Sequence, residues 1–324
     1  MLKYIGKRLL MMIPVLLAIT LVVQILISVT PGDPARMMLG VNATDEKVEE
    51  LRNEMGLNDP FFVRYGRYLV QLLHGDFGTS YVTQRTVMSE IRTRFPYTLK
   101  LVVLSLIMAM IIGLPVGVFA ATHQNKWSDN LVMFLSLFCV SMPPFWFSLL
   151  LVQEFAVKRQ WFPLSGVGTL WHWILPALGI AVGFMANIAR QTRSNMLEVI
   201  RQDYIVTAKA KGVAEGNIKY KHALKNALTP IIMVAGGMFG AMLGGALISE
   251  VIFSIPGLGQ YTLQALNNRD YPVIQSSVLI MSFMFSIVML LVDVLFAFVD
   301  PRIRSQYVRS RRKKAKTEET DGTE

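Results

Sequence analysis

The sequence predicts an all-α polytopic membrane protein with six transmembrane helices and a small helical cap on one side of the bilayer. Three observations carry this. The 324 residues are 53% hydrophobic and 17% charged, with a mean hydropathy of +0.44, on the membrane side of globular averages. Apolar runs long enough to cross a bilayer recur at 9–30, 98–120, 131–152, 174–190, 230–252 and 275–299. Lys and Arg concentrate in alternate connecting pieces (1–8, 121–130, 190–229 and 301–324), whereas acidic residues balance the basic ones in the pieces between. That bias places the basic pieces and both termini in the cytoplasm.

Taken in chain order, residues 1–30 are a cytoplasmic end and the first span. Its apolar run exceeds that of a signal peptide, and PGDPARMMLG after it is a poor cleavage site, so a retained anchor is expected. Residues 31–96 form an extracytoplasmic helical segment. Pro31 and Pro34 end the first span. Thr44–Met55 reads as a short helix with Thr44 as N-cap and Gly56 closing it. The stretch after Pro60 places Phe61, Tyr65, Tyr68, Leu69 and Leu72 on one helical face, against the outer membrane surface or the bundle, with Arg64 and Arg67 turned away. A turn at Gly75–Tyr81 follows.

Residues 97–304 are the transmembrane core. The third span carries Pro143 and Pro144 at its middle, which forces a kink. The fourth is the weakest, with Trp171, His172 and Trp173 extending it. The fifth bears Gly236, Gly240 and Gly244 four apart, with Gly237, Ala241 and Gly245 one position behind, and this predicts close helix packing in the bundle or against an adjoining subunit. Glu250, near the outer end of the fifth span, and Asp293, in the last third of the sixth, are the intramembrane carboxylates. With Pro143 and Pro144 they are the candidates for a pathway or gating role. The competing structural expectations are that Glu250 reaches interfacial water and that Asp293 has a partner or cytoplasmic hydration. Residues 305–324 are a basic cytoplasmic tail.

The 190–229 loop between spans four and five is basic. It predicts a helix over 195–210, a stop at Gly212 and a second helical piece over 215–228, after which Pro230 starts the next span. The small residues Ala208, Ala210 and Gly212 leave room for another surface, and Tyr204 and Tyr220 give it aromatic contacts, so a docking segment is expected.

No enzyme chemistry accompanies these features. The histidines are scattered at 74, 123, 172 and 222, Cys139 is alone, and there is no HExxH and no phosphate-cradling G-x4-G-K-[ST]. The positive charge follows membrane topology and anionic headgroups, which argues against a nucleic-acid partner.

The docking segment is where a family becomes recognisable. Asp203-Tyr204 followed by TAKAKGV and KHALKNALTP resembles the cytoplasmic coupling loop of permease subunits of dipeptide/oligopeptide-type ABC importers. The other segments that match in order are KRLLMMIPVLLAIT, PGDPARMMLG, LRNEMGLNDP, GDFGTSY, SMPPFWFSLLL, EVIFSIPGLG, NNRDYPVIQ and VDPRIR. The broader importer signature has an acidic residue where this chain reads Val206-Thr207-Ala208, a departure that suits the peptide class. The resemblance implies a type I importer permease bundle in a bacterial or archaeal plasma (inner) membrane. It also implies partners: a homologous second permease, two cytoplasmic ATP-binding subunits that hold ATP and Mg, an extracytoplasmic solute-binding protein, and membrane lipid. No catalytic, cofactor or metal site is expected in this chain. Asp203, Tyr204, Ala208, Lys209, Lys211, Gly212 and Val213 would form the ATPase-coupling loop. The substrate implied is a short peptide, with nickel complexes and glutathione as alternatives within the same architecture. An ion-coupled secondary transporter would need inverted repeats and mid-membrane ionisable groups, which the sequence does not display.

Overall fold

The long apolar runs fold as long helices, and short polar helices join them. A computed structural model describes residues 2–40 and 42–299, and no strand occurs among them. The tail at 305–324 lies outside the described residues. The helices, in chain order, are α1 (Leu2–Val29), α2 (Pro34–Leu39), α3 (Asp45–Glu54), α4 (Phe61–Leu73), α5 (Val87–Thr122), α6 (Trp127–Ser141), α7 (Pro144–Leu151), α8 (Trp171–Ile200), α9 (Asp203–Ala210), α10 (Glu215–Asn217), α11 (Leu224–Ile252), α12 (Leu258–Asn268) and α13 (Tyr271–Val299). Two π-helical stretches extend this set: Val152–Lys158 follows α7, and Ile218–Ala223 leads into α11.

Among the described residues, five helices are long and apolar enough to cross a membrane, and a sixth span is counted there only if α6 and α7 with its π stretch are taken as one. These halves, Trp127–Ser141 and Pro144–Lys158, meet at 100°. The expected kink is therefore a break. Each proline drives its predecessor out of the helical region, and Met142 and Pro143 are both extended, at ψ 131° and 127°. The fourth span, weakest by apolar length, is a 30-residue helix that includes Trp171 to Trp173 and runs past Arg190 and Arg193 to Ile200. Pro230 lies inside α11 rather than at its start.

The core is α5, α8 and α11, around Leu101, Val102, Ile188, Phe239 and Met242. The tight α5–α8 approach is made by a small-residue pair the sequence reading passed over. A Cβ added at Gly113 would sit 2.7 Å from the Met185 carbonyl oxygen, and one at Gly117 would sit 2.5 Å from that of Ala189. The fifth-span stripe divides. A Cβ at Gly236 would come within 2.5 Å of Val292, and one at Gly240 within 2.5 Å of the Phe285 ring, so these two seat α11 on α13. A Cβ built on Gly237, Gly244 or Gly245 would meet nothing within 4 Å outside its own helix backbone. Gly240→Leu is therefore expected to force α13 away from α11 and lower the yield of intact protein on gel filtration, with a destabilisation of about 1–3 kcal/mol for overpacking. Gly244→Leu should leave the same measurement unchanged.

The cap rests on the bundle, one of the two placements expected for it. The Tyr65 hydroxyl donates to the Leu17 carbonyl at 3.0 Å and lies 3.0 Å from Thr20 Oγ1, near the middle of α1. Arg64 and Arg67, expected to turn away from the packed face, both line a cavity between the cap and the bundle, and Arg67 is paired there with Asp59 at 2.6 Å. Thr44 occupies the N-cap position of α3 without making a side-chain cap bond. Asp33 caps α2 by accepting the Ala35 N–H at 3.0 Å. Asp293 finds the structural partner expected of it, Arg8 on α1, at 3.0 Å.

Candidate functional site

The segment expected to dock is built differently from the sequence expectation. The 195–210 helix is interrupted at Arg201 and Gln202. Gln202 is extended (φ −77°, ψ 151°), and its carbonyl accepts the N–H of Ile205 at 2.9 Å. The break lets α9 fold back so that Ile205, fully buried, joins Met196, Val199, Ile218 and Ala223 in a small cluster at one end of the bundle. Local propensity favours a continuous helix here, and burial of Ile205 overrides it.

The other end of α9 is a Schellman stop. The Gly212 N–H bonds to the Lys209 carbonyl at 2.9 Å and the Val213 N–H to that of Ala208 at 3.2 Å. Gly212 takes φ +75°, and Val213 packs against the same cluster. Nothing lies within 4 Å of a Cβ built on Gly212, so this chain requires glycine there for its backbone angle. Asp203, Lys209 and Lys211 are exposed, and Ala208 is half-buried. The Tyr204 hydroxyl accepts from Asn226 Nδ2 at 2.6 Å, bracing α9 against the start of α11. Val206 (58% exposed) and Tyr220 (63%) add apolar surface to the same segment. Val206 was not among the sequence candidates, and the exposure that marks it depends on which way α9 rolls.

Directly above this segment, α8 and α11 leave a cavity of about 320 Å³ lined by Asn187, Arg190, Gln191, Ser194, Val234 and Met238. Polar side chains at 187, 190/191 and 194 recur at helical spacing, and such residues in a span face a bundle interior or water. The same helix α11 also has an open side, where Gly237 and Gly244 are exposed and nothing within the chain lies within 4 Å of a Cβ built on either. Next to it, Arg193 grips Asp129 at the start of α6 with two bonds of 2.6 Å, and Asp129 is buried. Neither the furrow nor this pair was found from sequence. The pair is 64 residues apart in the chain, so only its two residue types were visible.

Of the pathway candidates, Glu250 meets protein on every side instead of interfacial water. It is fully buried and accepts from Thr98 Oγ1 at 2.5 Å and from the Gln260 N–H at 2.8 Å, while Thr98 Oγ1 accepts the Leu258 N–H at 2.8 Å. The loop FSIPGLG wraps the carboxylate so closely that a Cβ on Gly257 would lie 2.2 Å from it. Pro143 and Pro144 sit at the break between α6 and α7, and Asp293 on the far side of α13 in its pair with Arg8; the structure brings neither to the furrow.

Two of the sequence segments singled out above meet outside the bundle. Asp270, buried between α12 and α13, accepts from Ser80 Oγ at 2.5 Å and from the Tyr81 N–H at 3.0 Å. Ser276 Oγ donates to the Phe77 carbonyl at 3.0 Å. The Tyr81 hydroxyl, pushed up to about 12 by burial and then by the charge of Asp270, stays protonated. The GDFGTSY turn is thus latched onto the NNRDYPVIQ junction. Among the described residues, no group of His, Cys, Asp or Glu is placed to hold a metal ion.

Comparisons with known proteins agree with this architecture. Residues 113–305 match the family described as binding-protein-dependent transport system inner membrane component, and residues 1–102 match its N-terminal membrane component. The chain is 42% identical to the dipeptide transport system permease protein DppB of Alkalihalophilus pseudofirmus, covering 94% of this chain and 100% of that protein. It is 41% identical to the glutathione transport system permease protein GsiC of Salmonella paratyphi A, covering 94% and 99%. Among solved structures, it is similar in fold to a chain of an inward-facing MetNI methionine ABC transporter, with a TM-score of 0.56 at 19% identity over 66% of this chain and 97% of that one.

Proposed function

The chain belongs to the family of binding-protein-dependent transport system inner membrane components, and from that premise we propose that it passes short peptides along the α8–α11 furrow into the cytoplasm. As a multi-pass permease subunit of an ABC importer it is not an enzyme and works with ATPase and binding-protein components. The furrow is the observation that carries the peptide reading. Asn187 and Gln191 offer amide donors and acceptors that match a peptide backbone whatever its side chains, and Arg190 offers a cation to a carboxylate.

In this reading the chain pairs with a homologous second permease, whose matching face covers the open side of α11. Two ATPase subunits bind ATP and Mg, and one of them seats on Tyr204, Val206, Ala208, Gly212 and Tyr220. Both termini are cytoplasmic, which puts the latched cap toward the solute-binding protein. Closure of the ATPases biases the two permeases between inward-open and outward-open states, a shift that requires differential binding of the coupling segment in the two states. Glutathione is the second reading. It is supported by the 41% identity to permeases of that name, and as a small acidic peptide it makes the same chemical demands on the furrow.

The test is uptake by the reconstituted complex, with the solute carried by its binding protein identified by mass spectrometry. Asn187→Leu combined with Gln191→Leu removes hydrogen bonds worth about 1 kcal/mol each. Peptide uptake should then fall roughly thirtyfold, with yield and ATPase coupling to the segment retained. Unchanged uptake in that variant would remove the furrow from the pathway.

A further inference from the structure

A second cavity, of about 250 Å³, lies between the cap and the α1–α13 pair, away from the furrow. Its polar lining includes Gln24, Arg64, Tyr68, Asp76, Tyr81 and Gln275. Three of these groups are unsatisfied or held open. Arg64 is half-buried and makes no hydrogen bond or ion pair among the described residues. The Tyr68 hydroxyl is buried without a partner. Asp76 accepts only its local Gly78 N–H, at 2.8 Å. A buried hydroxyl left unpaired is costly, and half-burying an unpaired guanidinium is costlier still.

The remaining charge in the lining, Arg67, is already neutralised by Asp59 at 2.6 Å. What the cavity presents is one free cation, one carboxylate with spare acceptor capacity, and a phenol, a set complementary to a zwitterion that carries an oxyanion and a primary ammonium. The volume is below that of ordinary small-molecule pockets, so it admits a headgroup and little more. The two helices that contribute to this lining also carry exposed apolar residues, Phe62 and Leu73 on α4 and Leu26 and Val29 on α1. A polar cavity of headgroup size walled by helices that carry exposed apolar residues fits a molecule with a small zwitterionic end and acyl chains.

We propose that this cavity binds the headgroup of a zwitterionic aminophospholipid, with its phosphate on Arg64 and the Tyr68 hydroxyl and its ammonium on Asp76, and that the bound lipid ties the cap to α1 and α13. The ligand fills hydrogen-bond sites that nothing in this chain fills. The tie acts on the cap and is separate from the peptide furrow.

The experiment uses the intact importer complex. Purified from membranes and examined by native mass spectrometry, it is expected to retain phosphatidylethanolamine. Arg64→Gln, Asp76→Asn and Tyr68→Phe should each reduce that retention, the first two roughly tenfold because each removes a charged partner. In nanodiscs, phosphatidylethanolamine should raise the unfolding temperature of the wild type above its value in phosphatidylcholine, whose methylated ammonium has no N–H to donate. That increment should vanish in Arg64→Gln. The lipid-free unfolding temperature of each variant shows whether it folds, and Tyr68→Phe keeps the ring in place. Equal stabilisation by the two lipids, or unchanged retention in both charge variants, would overturn the proposal. Protection by a soluble zwitterionic dipeptide, but not by the lipid, would also overturn it and assign the cavity to substrate.

Discussion

Glu250→Ala and Gly257→Ala are each expected to cost the protein most of its folded yield, although neither residue touches the furrow or the coupling segment. Removing the carboxylate leaves the Thr98 hydroxyl and the Gln260 N–H facing a buried void. Each orphaned group costs about 1–3 kcal/mol, and the cavity adds to that, so a loss of roughly 3–5 kcal/mol is expected. Gly257→Ala reaches the same end from the other side, since its Cβ would lie 2.2 Å from the carboxyl carbon of Glu250 and the buried loop from Phe253 to Leu258 leaves it little room. Glu250→Gln keeps two acceptor positions' worth of volume and one acceptor oxygen, and it should fall between wild type and alanine. Thermal unfolding of the detergent-solubilised complex ranks the three. A wild-type unfolding temperature in Glu250→Ala would show that the carboxylate does not staple α5, α11 and α12 together.

Gly212→Val is expected to abolish substrate-stimulated ATPase activity and uptake while the protein still inserts. At φ +75° an L side chain costs about 1–2 kcal/mol, and a β-branched one more, so the Schellman stop unwinds and α9 loses its orientation. Two further substitutions separate backbone from space. Gly212→Asn tolerates the left-handed conformation but adds volume, whereas Gly212→Ala adds little volume but strains the backbone. If an ATPase surface lies close over Gly212, Asn should be nearly as damaging as Val. If the backbone angle alone matters, Ala should be worse than Asn. Normal coupled activity in all three would sink the docking reading of this segment.

These positions show what one chain's sequence can and cannot reveal. Hydropathy located the spans, because twenty apolar residues in a row have few other uses, and turn chemistry located Gly212. The two prolines marked the third span as bent, but the 100° between its halves follows from how α7 packs on α8, which no local signal carries. The break at Arg201–Gln202 has no proline or glycine to announce it; burial of Ile205 decides it. Glu250 reads from sequence as an isolated intramembrane charge, since Thr98 lies 152 residues away. Gly113 and Gly117 were legible, with the same four-residue spacing as Gly236 and Gly240. Conversely, Gly244 continues the stripe in sequence but meets nothing within the chain. The furrow was the hardest part to read, because it needs the polar face of α8 and the bare face of α11 to be seen together.

The segment between α8 and α11 has one more property, which comes from how it is joined. It is continuous at one end with α8, through only Arg201 and Gln202, and at the other with α11, through the π turn at Ile218–Ala223. Those two helices are the walls of the furrow, so under the proposed function the segment would be the short arm of two levers with a common handle. A 30-residue helix is about 45 Å long, and a tilt of about 10° at the foot joined to this segment carries its far end by about 8 Å. In that reading, motion of a few ångströms at the base would be geared up to the width of a peptide at the far end of the helix.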